Sequence, residues 1–412
     1  MTVTDPSIRR RLRGGVGIAV ALAVMNVTTY AFNIVAARWL GPEPYGAVAA
    51  ILGMLMVVNV LSLGLQATAA RRVAAAPDDL PQIEAQIRRA TMLCSVGLGL
   101  ACLLAAPLFN ALLHLDSLAT AALIAVCVVP LTMMGGQAGL LQGESRWLPL
   151  SLIYLSFGFG RLLAGVVALA IRPDEFGATL GLAIGAFAPA IVGELALRHP
   201  TRGRRAPVPK AKASPVLREV ASSSHALLAF LALSNADVVL ARTLLSHQQA
   251  GLYAGGLILT KAVLFLPQFV VIVAFPSMAR NSDDRSTRRN GLVLILATGL
   301  SAVAGALLLS SLTVTFVGGD AYASLKSDLW AWALLGTLLA MIQLLVYGVL
   351  ARQHRNAVYL VWATLAVLLA AATRAHGPLG LLEVVLVADG SLFLLLLIVS
   401  SRSSSKARAA TS

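Results

Sequence analysis

From Gly14 almost to the C-terminus one pattern repeats: an apolar stretch of about twenty residues or more, then a short polar connection. A helical run of that length crosses a hydrocarbon core about 30 Å thick. The stretches lack the strict alternation of barrel strands, and backbone groups in hydrocarbon must be satisfied within their own segment, so each predicts a helix. The first six are expected over 14–37, 45–69, 90–109, 118–141, 147–171 and 176–197. A second six follow over 220–244, 251–278, 291–316, 329–350, 357–373 and 379–400. The expected fold is therefore an all-α polytopic membrane protein of about twelve transmembrane helices in two six-helix lobes.

Between the sixes lies a stretch with Arg202, Arg204, Arg205, Lys210 and Lys212 among Pro200, Pro207, Pro209 and Pro215. It reads as a solvated, non-helical hinge. The expected organisation is an N-terminal lobe over 1–198, a basic Pro-rich cytoplasmic linker over 199–218, a C-terminal lobe over 219–400 and a disordered cytoplasmic tail over 401–412.

Composition agrees with this reading. The 412 residues are 58% hydrophobic and 12% charged, with mean hydropathy +0.82, whereas a soluble domain carries roughly 25% charged residues. Arg9, Arg10, Arg11 and Arg13 precede the first stretch, which is too long for a signal-peptide core and so reads as an uncleaved first helix. Cys94, Cys102 and Cys127 lie in apolar segments, the first two roughly 12 Å apart along one helix, so no disulfide framework is expected.

The net charge of +14 is distributed by topology. With the N-terminus inside, 25 of the 32 Lys and Arg residues fall in inner segments. Five, Arg38, Arg172, Arg242, Lys326 and Arg374, fall in outer loops. Cationic loops resist translocation, so both termini are expected in the cytoplasm of a multi-pass protein of the bacterial inner membrane. The inner basic segments suit anionic membrane lipids. Nucleic acid is not an expected partner, because no folded soluble surface is available to carry a basic patch.

Four charged residues fall deep within helices: Arg161, Asp237, Lys261 and Asp389. Each costs about 2.5 to 3.5 kcal/mol at the bilayer centre on insertion scales, so they must be paired or face a wet cavity. One reading is a cationic cavity in which Arg161 and Lys261 bind the pyrophosphate of a lipid carrier, helped at its mouth by Arg38 and Arg242. The other is that Asp237 pairs with Lys261, and Arg161 with Asp389, merely to hold helices together. Arg38 and Arg242 have the further reading of anchors in the headgroup layer.

Polar residues also recur at helical spacing. Asn26, Thr29 and Asn33 share one face of the first helix, and Asn59, Ser62 and Gln66 share one face of the second. They line a cleft or make ordinary interhelical hydrogen bonds. Pro130, Pro267 and Pro276 are candidate kinks, and Gly158, Gly160, Gly181 and Gly185 permit close helix packing.

No Gly-rich loop ends in Gly-Lys followed by Ser or Thr, so no nucleotide cofactor is expected. The six histidines show no metal-ligand spacing, and no metal site is expected. Energy for any transport must then come from an ion gradient, the membrane potential or consumption of the product. Asp237 and Asp389 are the candidates for ion coupling.

The two halves share a motif. A polar membrane residue, Asn33 or Asp237, is followed five positions on by Arg38 or Arg242, then by a short turn ending at Gly46 or Gly251 before a long helix. Six helices per copy keep the copies parallel, as in transporters that rock two bundles about a central site.

Asn26 through Ala-Ala-Arg38-Trp-Leu-Gly41-Pro-Glu-Pro-Tyr45-Gly46 to Gly64-Leu-Gln66 and Ala-Ala-Arg71-Arg72 resembles polysaccharide-biosynthesis flippases of the multidrug/oligosaccharidyl-lipid/polysaccharide (MOP) exporter superfamily. Asp237 to Arg280, with Ala250-Gly-Leu-Tyr253-Ala and Phe275-Pro276, resembles the matching part of their second half. The resemblance implies a MATE-like fold of twelve to fourteen helices and alternating-access export of a lipid-linked saccharide on an undecaprenyl-type carrier. A polysaccharide polymerase and glycosyltransferases are the implied protein partners.

A multidrug or metabolite exporter of the same superfamily is the alternative, and would favour acidic and aromatic lining. A membrane glycosyltransferase or ligase is a weaker reading, since every outer connection is short and no acid or base cluster stands at an aqueous face. The chain is expected not to be an enzyme. A scaffold for a polymer-synthesis complex would not require deep charges.

Overall fold

The structure, a computed structural model, describes residues 6–198, 213–278, 284–351 and 355–409. The linker as far as residue 212, together with Arg280 and Arg352, lies outside the described residues.

Helices follow the apolar stretches. The first half comprises α1 (Pro6–Leu40), α2 (Pro42–Val58), α3 (Val60–Ala75), α4 (Leu80–Leu104), α5 (Ala106–Leu113), α6 (Leu118–Gly143), α7 (Trp147–Ile171) and α8 (Glu175–Leu197). The second comprises α9 (Ser214–Leu244), α10 (His247–Met278), α11 (Asp284–Leu308), α12 (Ser310–Val317), α13 (Leu329–Ala351), α14 (Arg355–Ala372) and α15 (Gly377–Ala409). Among the described residues ten helical stretches are long and apolar enough to cross a membrane, and Val358–Ala372 is a shorter apolar helix. Helix α10 is 32 residues long. The chain is an all-α, multi-pass membrane protein.

Three expected helices are each built from two pieces. The second is interrupted at Asn59, although the amide of Leu63 still donates to the Asn59 carbonyl at 3.2 Å. The third divides into α4 and α5 because Pro107 supplies no amide and is tolerated only in a first turn. The ninth divides at Leu309. Pro130 leaves α6 unbroken as an assigned helix.

Several ends run past expectation: α1 begins at Pro6 rather than at residue 14, α4 at Leu80 rather than at residue 90, and α11 at Asp284 rather than at residue 291. Helix α9 begins at Ser214 rather than at residue 220, because Pro215 falls in its first turn, where a missing N–H breaks nothing. Helix α15 continues to Ala409 through the expected tail. Residues 401–409 contain no Gly or Pro, and their Arg, Lys and Ala are good helix formers whose cations suit a helix C-terminus.

By contact the chain parts into two compact units, Met1–Asn33 with Met54–Leu227, and Ile34–Gly53 with Leu228–Ser412. The sequence lobes follow chain order, whereas these units follow packing, and the end of α1 and start of α2 pack with the later half.

In the first unit α6 packs against α3, α4 and α8. Gly135, Gly139 and Gly143 recur one helical turn apart and face the α3 backbone. A Cβ at Gly143 would lie 2.9 Å from the Ala70 carbonyl oxygen. Helices α7 and α8 approach in the same way: a Cβ at Gly160 would lie 2.8 Å from the Gly185 carbonyl oxygen, and one at Gly181 would lie 2.6 Å from the Gly165 Cα. Small residues let backbones meet where lipid offers no hydrophobic drive for association. Leu65, Ile87, Leu141, Ile153 and Val216 close the core of this unit.

In the second unit α10 and α11 pack on α13, which also contacts α15. Trp332 of α13 is fully buried against Gly256 and sets its ring edge to face with Tyr253, centroids 4.6 Å apart. Thr260 donates to the Trp332 carbonyl oxygen at 2.8 Å, binding α10 to α13.

Candidate functional site

The second unit buries a charged cluster. Asp237 on α9 and Asp389 on α15 are each 2% exposed, and Lys261 on α10 is part-buried between elements that carry them. The Lys261 ammonium donates to the Ser234 carbonyl oxygen at 2.6 Å and to Asn235 Oδ1 at 3.2 Å. Asp237 Oδ1 accepts the Val238 amide at 2.8 Å, and its Oδ2 accepts the Tyr253 hydroxyl at 3.3 Å. Lys261 acts electrostatically on both carboxylates, and the carboxylates act on each other.

Asp237 and Lys261 therefore attract one another without a direct ion pair among the described residues. The ammonium instead spends its donors on the α9 backbone and an amide.

Arg161 is placed in the first unit. It donates to Asn33 Oδ1 at 3.2 Å, and its guanidinium carbon lies 5.2 Å from the centroid of the Phe32 ring. Arg161 has an amide and an aromatic face among its partners, and Asp389 has the neighbourhood of Asp237 and Lys261. Asn33 and Phe32 reach Arg161 because they end the part of α1 that packs in this unit.

The α3 stripe divides its roles. Gln66 donates to Tyr154 Oη at 2.8 Å and to Gln142 Oε1 at 3.0 Å, tying α3 to α7 and α6. Ser62 donates to the Leu131 carbonyl oxygen at 2.7 Å. Asn59 stands at the α2–α3 junction, and Asn26 lies part-buried on α1.

The repeat motifs meet within the second unit. Gly41 ends α1 with φ +72°, a left-handed turn that favours glycine, and its amide donates to the Ala37 carbonyl at 3.1 Å. Arg38 donates to the Thr315 carbonyl oxygen from an exposed position. Arg242 is only 1% exposed and donates to the Glu43 carbonyl oxygen at 3.4 Å. The headgroup-anchor reading of Arg242 is thus corrected, since a snorkelling side chain would reach water and this one is enclosed by its own unit. His247 Nδ1 and Glu43 Oε1 lie 3.4 Å apart beside it.

Sequence reasoning passed over Ser234, Asn235 and Tyr253 around Lys261, and Phe32 beneath Arg161. Asn235 sits two positions before Asp237 and was legible as a second polar residue in the same apolar run. Phe32 carried no signal apart from adjacency to Asn33.

The sequence profile described as polysaccharide biosynthesis protein matches residues 12–282, two thirds of the chain and both units. The chain belongs to that family. No curated protein matches it significantly in sequence. Solved structures extend the assignment to the fold. An inward-facing multidrug resistance MATE family transporter of the MOP superfamily matches with TM-score 0.69 at 14% identity, covering 93% of this chain and 98% of the other. The lipid II flippase MurJ, in an inward closed conformation, matches with TM-score 0.74 at 12% identity, covering 93% of this chain and 87% of the other. A eukaryotic MATE transporter matches with TM-score 0.62 at 14% identity, covering 95% of each chain. This family member thus shares its fold with those proteins over nearly its whole length.

Proposed function

We propose that this polysaccharide biosynthesis protein is a flippase that carries a lipid-linked saccharide from the cytoplasmic to the outer leaflet of the bacterial inner membrane, by alternating access and without bond chemistry. The family match across 12–282 carries the proposal, and the fold shared with a lipid II flippase supports it. The carrier is of undecaprenyl type, and a polysaccharide polymerase and glycosyltransferases are the partners that would consume and supply the substrate.

Arg161 is the residue assigned to the substrate's diphosphate. Its amide and aromatic partners orient the guanidinium without changing its charge, and a planar fork binds phosphate oxygens two at a time. Arg38, exposed at the end of α1, is a separate candidate for an anionic group within the second unit. Lys261 is held instead among carboxylates, and Asp237 and Asp389 are assigned to ion coupling.

Deletion of the gene, followed by leaflet-resolved analysis of lipid-linked sugars, tests the reading. A lipid-linked intermediate should accumulate on the cytoplasmic leaflet, and accumulation of none would overturn the proposal. The buried acidic pair Asp237 and Asp389, together with the MATE likeness, favours a second reading of cation or drug export. That reading predicts drug sensitivity on deletion with lipid-linked sugars unchanged.

A further inference from the structure

We propose that Lys261 is the resident cation of a two-carboxylate site in the second unit, and that a single exchangeable proton on Asp389 supplies the charge still missing. The inference rests on the transport reading only for the use made of that proton.

Two carboxylates against one ammonium leave one negative charge inside the membrane span. Three helices bring the groups together: Asp237 from α9, Lys261 and Tyr253 from α10, and Asp389 from α15. An uncompensated charge at that depth is costly even on insertion scales. The two carboxylates differ in what they are offered. Asp237 is equipped as an anion, since one oxygen takes the Val238 amide at 2.8 Å and the other the Tyr253 hydroxyl at 3.3 Å. Asp389, 2% exposed, has an oxygen, Oδ1, with no hydrogen-bond partner among the described residues. A buried carboxylate oxygen without a donor is less costly to leave neutral than one held by two donors.

A metal ion fits the vacancy poorly. Hard cations such as calcium and magnesium gather six or more oxygens, whereas the Ser234 carbonyl and the Asn235 amide oxygen are already given to the ammonium. One unpartnered oxygen is enough for a proton. The groups that face Asp389 are Asp237 and Tyr253, which share its sign when ionised, and Lys261, which opposes it. Among the described residues α13 and α14, which pack on α15, bring no charged group to it. The other acid on α15, Glu383, lies toward its N-terminal end.

Infrared difference spectroscopy of the purified full-length protein tests the proposal directly. A carbonyl stretch of a protonated carboxyl should appear, shift in heavy water and fall as pH is raised, with or without sodium. It should be absent from Asp389→Asn and present in Asp237→Asn, both read with a melting curve to confirm folding. Absence of a band that Asp389→Asn removes, or a band discharged by sodium at constant pH, overturns the proton assignment. A second measurement tests the resident cation: Lys261→Met vacates the ammonium's place, so sodium should raise the melting temperature of that variant by several degrees and leave the native chain unmoved. If Lys261→Met does not fold, Lys261→Gln serves, since its amide still donates to Ser234. Equal stabilisation of native and variant protein by sodium overturns it. Neither readout uses transport, so an intact proton band beside failed translocation would sink the flippase reading and leave this site standing.

Discussion

Gly46 and Gly251, which hold the same place in the two turn motifs of the chain, meet backbone to backbone: a Cβ at Gly46 would lie 2.9 Å from the Gly251 nitrogen. A Cβ at Gly251 would collide with the Pro42 carbonyl. Both belong to the second unit, where the start of α2 packs on the start of α10. The repeat is thus a self-complementary contact as well as an echo in sequence.

Side chains at that contact should be destabilising. Gly46→Val and Gly251→Val are each expected to lower stability by about 1 to 3 kcal/mol through overpacking against backbone that cannot yield. Gly305→Ala, at a position with nothing within 4 Å, is the control and should stabilise α11 by up to about 1 kcal/mol. Thermal unfolding in detergent compares the three, and equal melting temperatures would contradict the close approach.

Arg242 and Arg38, equivalent in the repeat, should behave differently. Arg242→Ala leaves a cavity and strips the Glu43 carbonyl of a donor, and is expected to cost about 1 to 3 kcal/mol. Arg38→Ala, at an exposed site, should stay within about 0.5 kcal/mol. Melting temperature and membrane abundance of the two variants give the check.

Arg161→Ala is expected to abolish translocation of the lipid-linked sugar while leaving abundance intact. Arg161→Lys should recover little, because an ammonium cannot bind phosphate with a planar fork. Leaflet-resolved analysis of the lipid-linked intermediate decides. Normal transport at normal abundance in Arg161→Ala would remove the diphosphate assignment.

The bias of Lys and Arg predicts orientation. A fluorescent protein fused after Ser412 should fluoresce, and alkaline phosphatase inserted beside Asp116 or Lys326 should be active. Reversal of both signals would invert the topology.

How much was legible varied with the kind of information. Helix α7 was read to the residue, and the other spans fell on their expected stretches, because in a bilayer an apolar run of that length has no alternative way to satisfy its backbone. The piecewise helices were less legible: the division near Pro107 follows from a missing amide, but the interruptions at Asn59 and Leu309 have no comparable signal. Deep charges stood out individually because each is expensive in lipid, while the choice of partner did not.

By itself the sequence determined the solvent, the helical class and the family motif, since those depend on composition and on spacing along the chain. Only the tertiary structure decided that Lys261 donates to Ser234 and Asn235, that Arg161 lies over Phe32, and that Arg242 is enclosed. Partner choice depends on rotation of each helix about its axis and on where glycines let backbones close, and a hydropathy pattern that is apolar nearly all round carries neither.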